Sequence, residues 1–282
     1  MNIIGHDLHR AQLANLVDKQ SLNHAYLFWG PAHVGKRALA LALANYLENK
    51  SWEDISDAEG LPNKVLVDCS VLTPGISQTI GIEAIRQAQE FLRQKPNRSA
   101  YRMVIVDNSE ALTHEAQDAM LKIAENPPES TLIILMSQSL ELLKPTLISR
   151  FQALYFGGVP TPLIVDWLIK DRGLSKESAT KLAARSFNQP GRALNLDSEK
   201  FKKRESDARK FLLGSRINRK TLLKELVREE NFNFADFLDS VIEIALVEKK
   251  FTGWHELLAL REQATFFNLN PRIQLEYLAT QL

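Results

Sequence analysis

Through its first 157 positions the chain alternates short, almost unbroken apolar runs with longer stretches in which apolar residues recur every third or fourth position. The short runs are Ala25–Trp29, Val65–Cys69, Met103–Asp107 and Thr131–Met136, with a briefer one at Ala153–Phe156. Runs apolar at nearly every position predict strands covered on both faces. The periodic stretches Lys36–Leu47, Ile80–Gln94 and Glu115–Glu125 supply the covering helices, and Asn126-Pro127-Pro128 stops the last of them. Strand and helix in alternation predict a parallel sheet with crossover helices, an α/β fold. Ser51–Pro62, with Asp54, Asp57, Glu59 and Gly60, is polar and predicts an exposed excursion before the second strand.

After Gly157-Gly158 the strand-like runs vanish and the pattern is helical to the end, which predicts a domain boundary. Pro160–Phe187 predicts two helices broken at Arg172-Gly173, with a shorter one at Arg192–Leu196 after Gln189-Pro190-Gly191. Phe201–Leu213, Lys220–Leu226, Phe234–Lys249, Trp254–Phe267 and Pro271–Leu282 continue the amphipathic pattern. The expected organisation is an α/β domain over 1–157, a small helical lid over 158–198 and an all-helical domain over 199–282.

Composition narrows the possibilities. The 35 Lys and Arg against 34 Asp and Glu leave a net charge of +1, so no global positive field marks nucleic acid as a partner. The basic cluster Lys200–Arg204 is flanked by Glu199, Glu205 and Asp207 and reads as a solvated helix face. The single cysteine, Cys69, excludes an internal disulfide and a four-cysteine zinc module; it is expected to be buried. The chain's first residues lack the charge and apolar pattern of an export signal, and no apolar run approaches the roughly 20 residues of a membrane span. The expectation is a soluble, cytoplasmic protein with no membrane partner.

The chemistry lies at the ends of the strands. Gly30-Pro-Ala-His-Val-Gly-Lys-Arg37 follows one strand and opens a helix, the context of a phosphate-binding P-loop. There Gly30 and Gly35 would free the backbone to wrap a phosphate, and Lys36 would reach the outer phosphates. The next position should offer a hydroxyl to Mg²⁺, but Arg37 cannot ligate a cation and repels one. His33 adds bulk where backbone must approach closely. Met103–Asp107 delivers Asp107 to the usual metal-facing place, but Asn108 stands where a carboxylate would polarise water, and Glu110 lies two residues too far on.

Three further stretches in register, HAYLFWGP at residues 24–31, DAMLKIAENPPESTLIIL at 118–135 and LKPTLISRFQ at 143–152, resemble the bacterial clamp-loader family of AAA+ ATPases. The resemblance implies a RecA-like P-loop sheet followed by a helical lid and a helical collar. It implies that Ser149-Arg150 projects Arg150 into the ATP site of an adjacent subunit, where a guanidinium stabilises charge on the transferring phosphoryl. Phe151 replaces the family's usual cysteine, a change that packing should absorb. Gln138 matches the sensor-1 residue and Gly191-Arg192-Ala193 the sensor-2 turn, through which Arg192 would contact a nucleotide. Asn268–Leu278 resembles the last collar helix.

Catalytic members carry four zinc-binding cysteines and complete motifs; one Cys, Arg37 and Asn108 point instead to the delta-prime branch. Many members of that branch also carry the zinc module, so its absence here is a departure that reads as loss of a dispensable staple. That branch implies gamma/tau-like and delta-like subunits as partners in a hetero-pentameric ring, with the sliding clamp and primed DNA reached through the complex. No zinc or other cofactor is required, and the sequence leaves open whether ATP binds without turnover. The competing possibility is a self-sufficient AAA+ ATPase with an atypical P-loop.

Overall fold

The computed structural model describes residues 3–53, 55, 64–75, 78–226, 232, 234–248, 253–266 and 270–280. Of the sequence expectations, residues 54 and 56–62 of the polar excursion, and Lys249, Phe267–Leu269 and residues 281–282 of the last helices, lie outside them.

Five parallel strands form one sheet in the order β2-β3-β4-β1-β5, with β1 at Ala25–Trp29, β2 at Cys69–Leu72, β3 at Arg102–Val106, β4 at Thr131–Ser137 and β5 at Gln152–Tyr155. The unbroken apolar runs are explained by two cores on opposite faces. Ala25, Leu27, Val104, Val106, Ile133 and Leu135 face helices α3 (Ile82–Leu92), α4 (His114–Glu125) and the single turn α5 (Pro145–Ile148). Their neighbours Tyr26, Phe28, Met103, Ile105, Leu132 and Ile134 face α1 (Asp7–Asp18) and α2 (Lys36–Asn49). Alternate side chains point to opposite faces, so a central strand covered twice must be apolar throughout.

Helix α1 has no counterpart in the sequence expectation, because it presents one fully buried residue, Leu13, and leaves Leu8 70% exposed. The second strand is a correction: it begins at Cys69 instead of ending there, and Val65 is 87% exposed. Asp68 decides the register. Its buried carboxylate accepts the backbone N–H groups of Asn97, Arg98 and Ser99 at 2.6–2.9 Å and pairs with Arg102 at 3.0 Å. Burial alone would raise this pKa, but the three amides and the Arg102 charge hold it below the usual carboxylate range. With Asp68 fixed at the sheet's edge, Cys69 falls opposite Met103 and the apolar approach Val65–Val67 is left outside the ladder. Cys69 itself is only partly buried, on a strand whose side chains are all half-covered.

Helices α6 (Thr161–Arg172), α7 (Lys176–Arg185) and α8 (Pro190–Asp197) enclose a cluster built on Val159, Ile164, Trp167, Leu168, Ala179, Ala183 and Ala193. Packing divides the chain into two compact units, Met1–Leu194 and Asn195–Leu282. The second holds α9 (Glu199–Leu213), α10 (Arg216–Leu226), α11 (Phe234–Glu248), α12 (Trp254–Phe266) and α13 (Pro271–Thr280) around Phe211, Phe237, Val241, Leu257 and Leu275. Arg219 of α10 donates to the carbonyls of Phe211 and Leu212 at 2.8 and 2.9 Å, satisfying acceptors that the end of α9 would leave open. No helix among the described residues is long and apolar enough to cross a membrane.

Candidate functional site

The carboxyl end of β1 runs into the loop 30–35, and each turn of that loop has a physical cause. Gly30 sits at φ 138° where a Cβ would come within 2.2 Å of the Phe156 carbonyl oxygen, so only glycine fits. Gly35, at φ 112°, caps the amino end of α2, and His33 between them also takes a left-handed φ of 59°. The P-loop shape is therefore built.

Its lysine and four of its carbonyls, however, are engaged within the chain. The Lys36 ammonium is buried and donates to the carbonyls of Gly30 and Pro31 at 2.6 and 2.7 Å. Burial brings its pKa down to about 8, against the opposing charges of Glu110 and Asp107. The carbonyl of His33 accepts the backbone N–H of Gly191 at 2.9 Å, and that of Val34 is bonded to Nε2 of the buried His6 at 2.8 Å. Four loop carbonyls are thus held by this chain's own groups.

The metal position is filled as well. Arg37 Nη1 lies 2.6 Å from Asp107 Oδ2, both side chains 21% exposed. A guanidinium on the carboxylate that would hold Mg²⁺ supplies a fixed positive charge but no ligand and no open coordination position. Asn108 follows at φ 53°, its backbone N–H 3.1 Å from Asp107 Oδ1, and brings no carboxylate to the site. The residues present do not fit a magnesium-bound nucleotide.

The remaining sequence candidates are placed unevenly. Gln138 has an exposed side chain and joins the site through its backbone N–H, 3.2 Å from Glu110 Oε1. Glu110, set aside on spacing, therefore links the ends of β3 and β4 and faces Lys36 electrostatically. The sensor-like turn meets the loop at Gly191, where a Cβ would crowd His33 at 3.2 Å. The Arg192 guanidinium lies over the Phe187 ring, 5.0 Å from its centroid. Sequence reasoning missed His6. Its ring packs on Phe156 at 4.8 Å, and no periodicity or spacing marks it in advance.

Burial lowers the His6 pKa, and the Val34 carbonyl bond opposes that shift without reversing it. The unfolded chain takes up this proton near pH 6.5 while the folded one resists it to lower pH, so stability is lost as pH falls from about 6.5 through the folded pKa. The urea midpoint should drop between pH 7.5 and pH 5. In His6→Gln the drop should shrink to the part owed to His9, which burial also lowers. An unchanged drop would show that His6 does not control it.

Ser149 and Arg150 lie away from this loop. They precede β5, which runs parallel to β1 with Tyr26 opposite Gln152, so six residues of strand at about 3.3 Å each, roughly 20 Å, separate them from Gly30. Ser149 Oγ donates to the Thr146 carbonyl at 2.9 Å, and both residues are exposed. Phe151 is 6% exposed and anchors the segment in the core. Arg150 Nε and Nη2 both meet Glu125 Oε1, at 3.3 and 3.1 Å. Arg150 therefore stands apart from the loop 30–35, paired with a residue of α4.

The family model described as DNA polymerase III, delta subunit, matches residues 5–159. A gamma/tau subunit of DNA polymerase III from Mycobacterium tuberculosis (strain ATCC 25618 / H37Rv) is 30% identical over 159 residues, covering 52% of this chain and 27% of that protein. A delta' subunit of DNA polymerase III from Escherichia coli (strain K12) is 29% identical over 181 residues, covering 62% of this chain and 54% of that protein. The chain therefore spans about a quarter to a half of the length of these curated relatives. A crystal structure of a DNA polymerase III gamma-subunit-related protein from Thermotoga maritima shares the fold at a TM-score of 0.55 and 19% identity, over 95% of this chain and 97% of that one.

Proposed function

The chain belongs to the DNA polymerase III delta subunit family, and within it we propose a delta-prime-like clamp-loader subunit whose own nucleotide site is closed and whose Arg150 serves a neighbouring ATPase subunit. The AAA+ fold and the similarity to delta' and gamma/tau subunits support the assignment to a clamp-loader-type protein. The observation that carries it is the ion pair of Arg37 with Asp107. This pair turns the metal position into a structural contact, while the exposed Arg150 stands at the opposite end of the sheet.

In this role the subunit needs no cofactor of its own. Gamma/tau-like and delta-like subunits are its partners in a cytoplasmic hetero-pentameric ring, which places the sliding clamp on primed DNA. Its sheet acts as a rigid wall, because the loop that would otherwise move with nucleotide is tied to Gly191, His6 and Lys36. ATP bound by the neighbour would meet Arg150, and hydrolysis there would report that the ring is closed.

The purified chain should hydrolyse ATP at no measurable rate, and Lys36→Ala should leave that background unchanged. Arg37→Thr with Asn108→Glu restores a hydroxyl and a carboxylate but not the displaced lysine, so turnover should stay below about 1 s⁻¹, the bottom of the usual enzyme range. Wild-type turnover at or above that rate, abolished by Lys36→Ala, would establish the competing self-sufficient ATPase.

A further inference from the structure

Glu125 closes α4, and Asn126-Pro127-Pro128 prevents the helix from continuing, so the backbone that carries its carboxylate is set at the end of that helix. The backbone that carries Arg150 is equally constrained. Arg150 N–H bonds the Leu147 carbonyl and Phe151 N–H the Ile148 carbonyl, both at 3.1 Å, and Phe151 is buried. Between these two anchors one carboxylate oxygen receives two guanidinium nitrogens, Nε and Nη2. Side chains half or more than a third exposed gain little stability from such a pair, so its geometry matters more than its energy.

That geometry is one-sided. A planar guanidinium offers two forked edges, one made by Nε and Nη2 and the other by Nη1 and Nη2. Glu125 occupies the first. Nη1 makes no hydrogen bond among the described residues, so on this half-exposed side chain the second edge is left with its fork open. A bidentate grip on two phosphate oxygens needs this second edge.

We propose that Glu125 is a positioning residue: it holds Arg150 by the Nε edge and thereby presents the Nη1–Nη2 edge to a phosphoryl group bound by an adjacent subunit. The proposal rests on the trans role assigned to Arg150 above. Without Glu125 the arginine keeps its charge and its reach but samples several rotamers, and the fork finds the phosphoryl only part of the time. The loss therefore falls on the chemical step rather than on nucleotide affinity.

The test uses an assembled complex with gamma/tau-like and delta-like subunits in which only the ATPase site facing this subunit retains its P-loop lysine. Glu125→Ala should lower kcat for ATP about tenfold and leave KM for ATP unchanged. Glu125→Gln, which keeps an acceptor oxygen at the same place, should recover most of the rate. The double variant Glu125→Ala/Arg150→Ala should turn over no more slowly than Arg150→Ala alone, because a residue acting through Arg150 has nothing left to position. An additive loss in the double variant, or a rate raised by Glu125→Ala, overturns the positioning role while leaving Arg150 in trans intact. Arg150→Ala with a wild-type rate overturns both, and so separates failure of the trans role from failure of this inference.

Discussion

Arg150→Ala is expected to leave the subunit folded and assembled while turnover at the ATPase site facing it falls roughly 10³- to 10⁵-fold, the range typical of arginines supplied in trans to phosphoryl transfer. Folding should be spared because the residue is exposed and its ion pair with Glu125 is of the kind worth about 0–1 kcal/mol. The total ATPase of a ring with several working sites should fall only a few-fold, since the others keep firing. Clamp loading should fall with it if closure of the ring is gated by this site. Arg150→Lys should rescue poorly, because an ammonium keeps the charge and loses the fork. Assembly measured by size exclusion and clamp loading measured by fluorescence on the same reconstituted preparation decide the matter. A wild-type loading rate from a fully assembled Arg150→Ala complex would leave this arginine an ordinary surface residue.

Removing Asn195–Leu282 is expected to abolish co-elution with partner subunits altogether. This helical unit has its own core, yet it leaves Leu213, Leu246, Leu258, Ile273 and Tyr277 each more than half exposed. Large apolar side chains held in water at a helical-turn spacing, as Ile273 and Tyr277 are on α13, suit a face that another subunit covers. Ile273→Glu guards against a truncated chain that merely misfolds. Leu275 and Leu278 carry the helix's packing on its buried side, so the variant should keep its circular dichroism and thermal midpoint while losing assembly. Co-elution of the truncated chain at undiminished affinity would show that the contacts lie in the first unit.

Most of the sheet was legible because a doubly covered strand cannot hide: β1, β3, β4 and β5 fall within a residue or so of their expected places. The second strand was not legible. Its register answers to a buried ion pair between Asp68 and Arg102, 34 positions apart in sequence, and to three amides in the loop between them. Helix α1 was overlooked for the opposite reason, since its burial is too slight to leave a periodic trace. Among the site residues, the defects at Arg37 and Asn108 could be read from the motif alone. The contacts of His6 with Val34 and of Gly191 with His33 could not, because each joins loops that only the finished fold brings together.

By itself the sequence determined the architecture and the loss of the hydroxyl and carboxylate that a magnesium-nucleotide site needs, since both depend on which residue types stand at fixed spacings along one strand–loop–helix unit. Only the tertiary structure decided what replaced them. Arg37 could have pointed into water, and Lys36 could have stood open to an anion; instead the parallel order of β1, β4 and β3 brings Asp107 and Glu110 to the same end of the sheet as the loop. There the arginine pairs with the aspartate and the lysine turns back on Gly30 and Pro31, because a charge excluded from water must find a partner among the groups the fold places beside it.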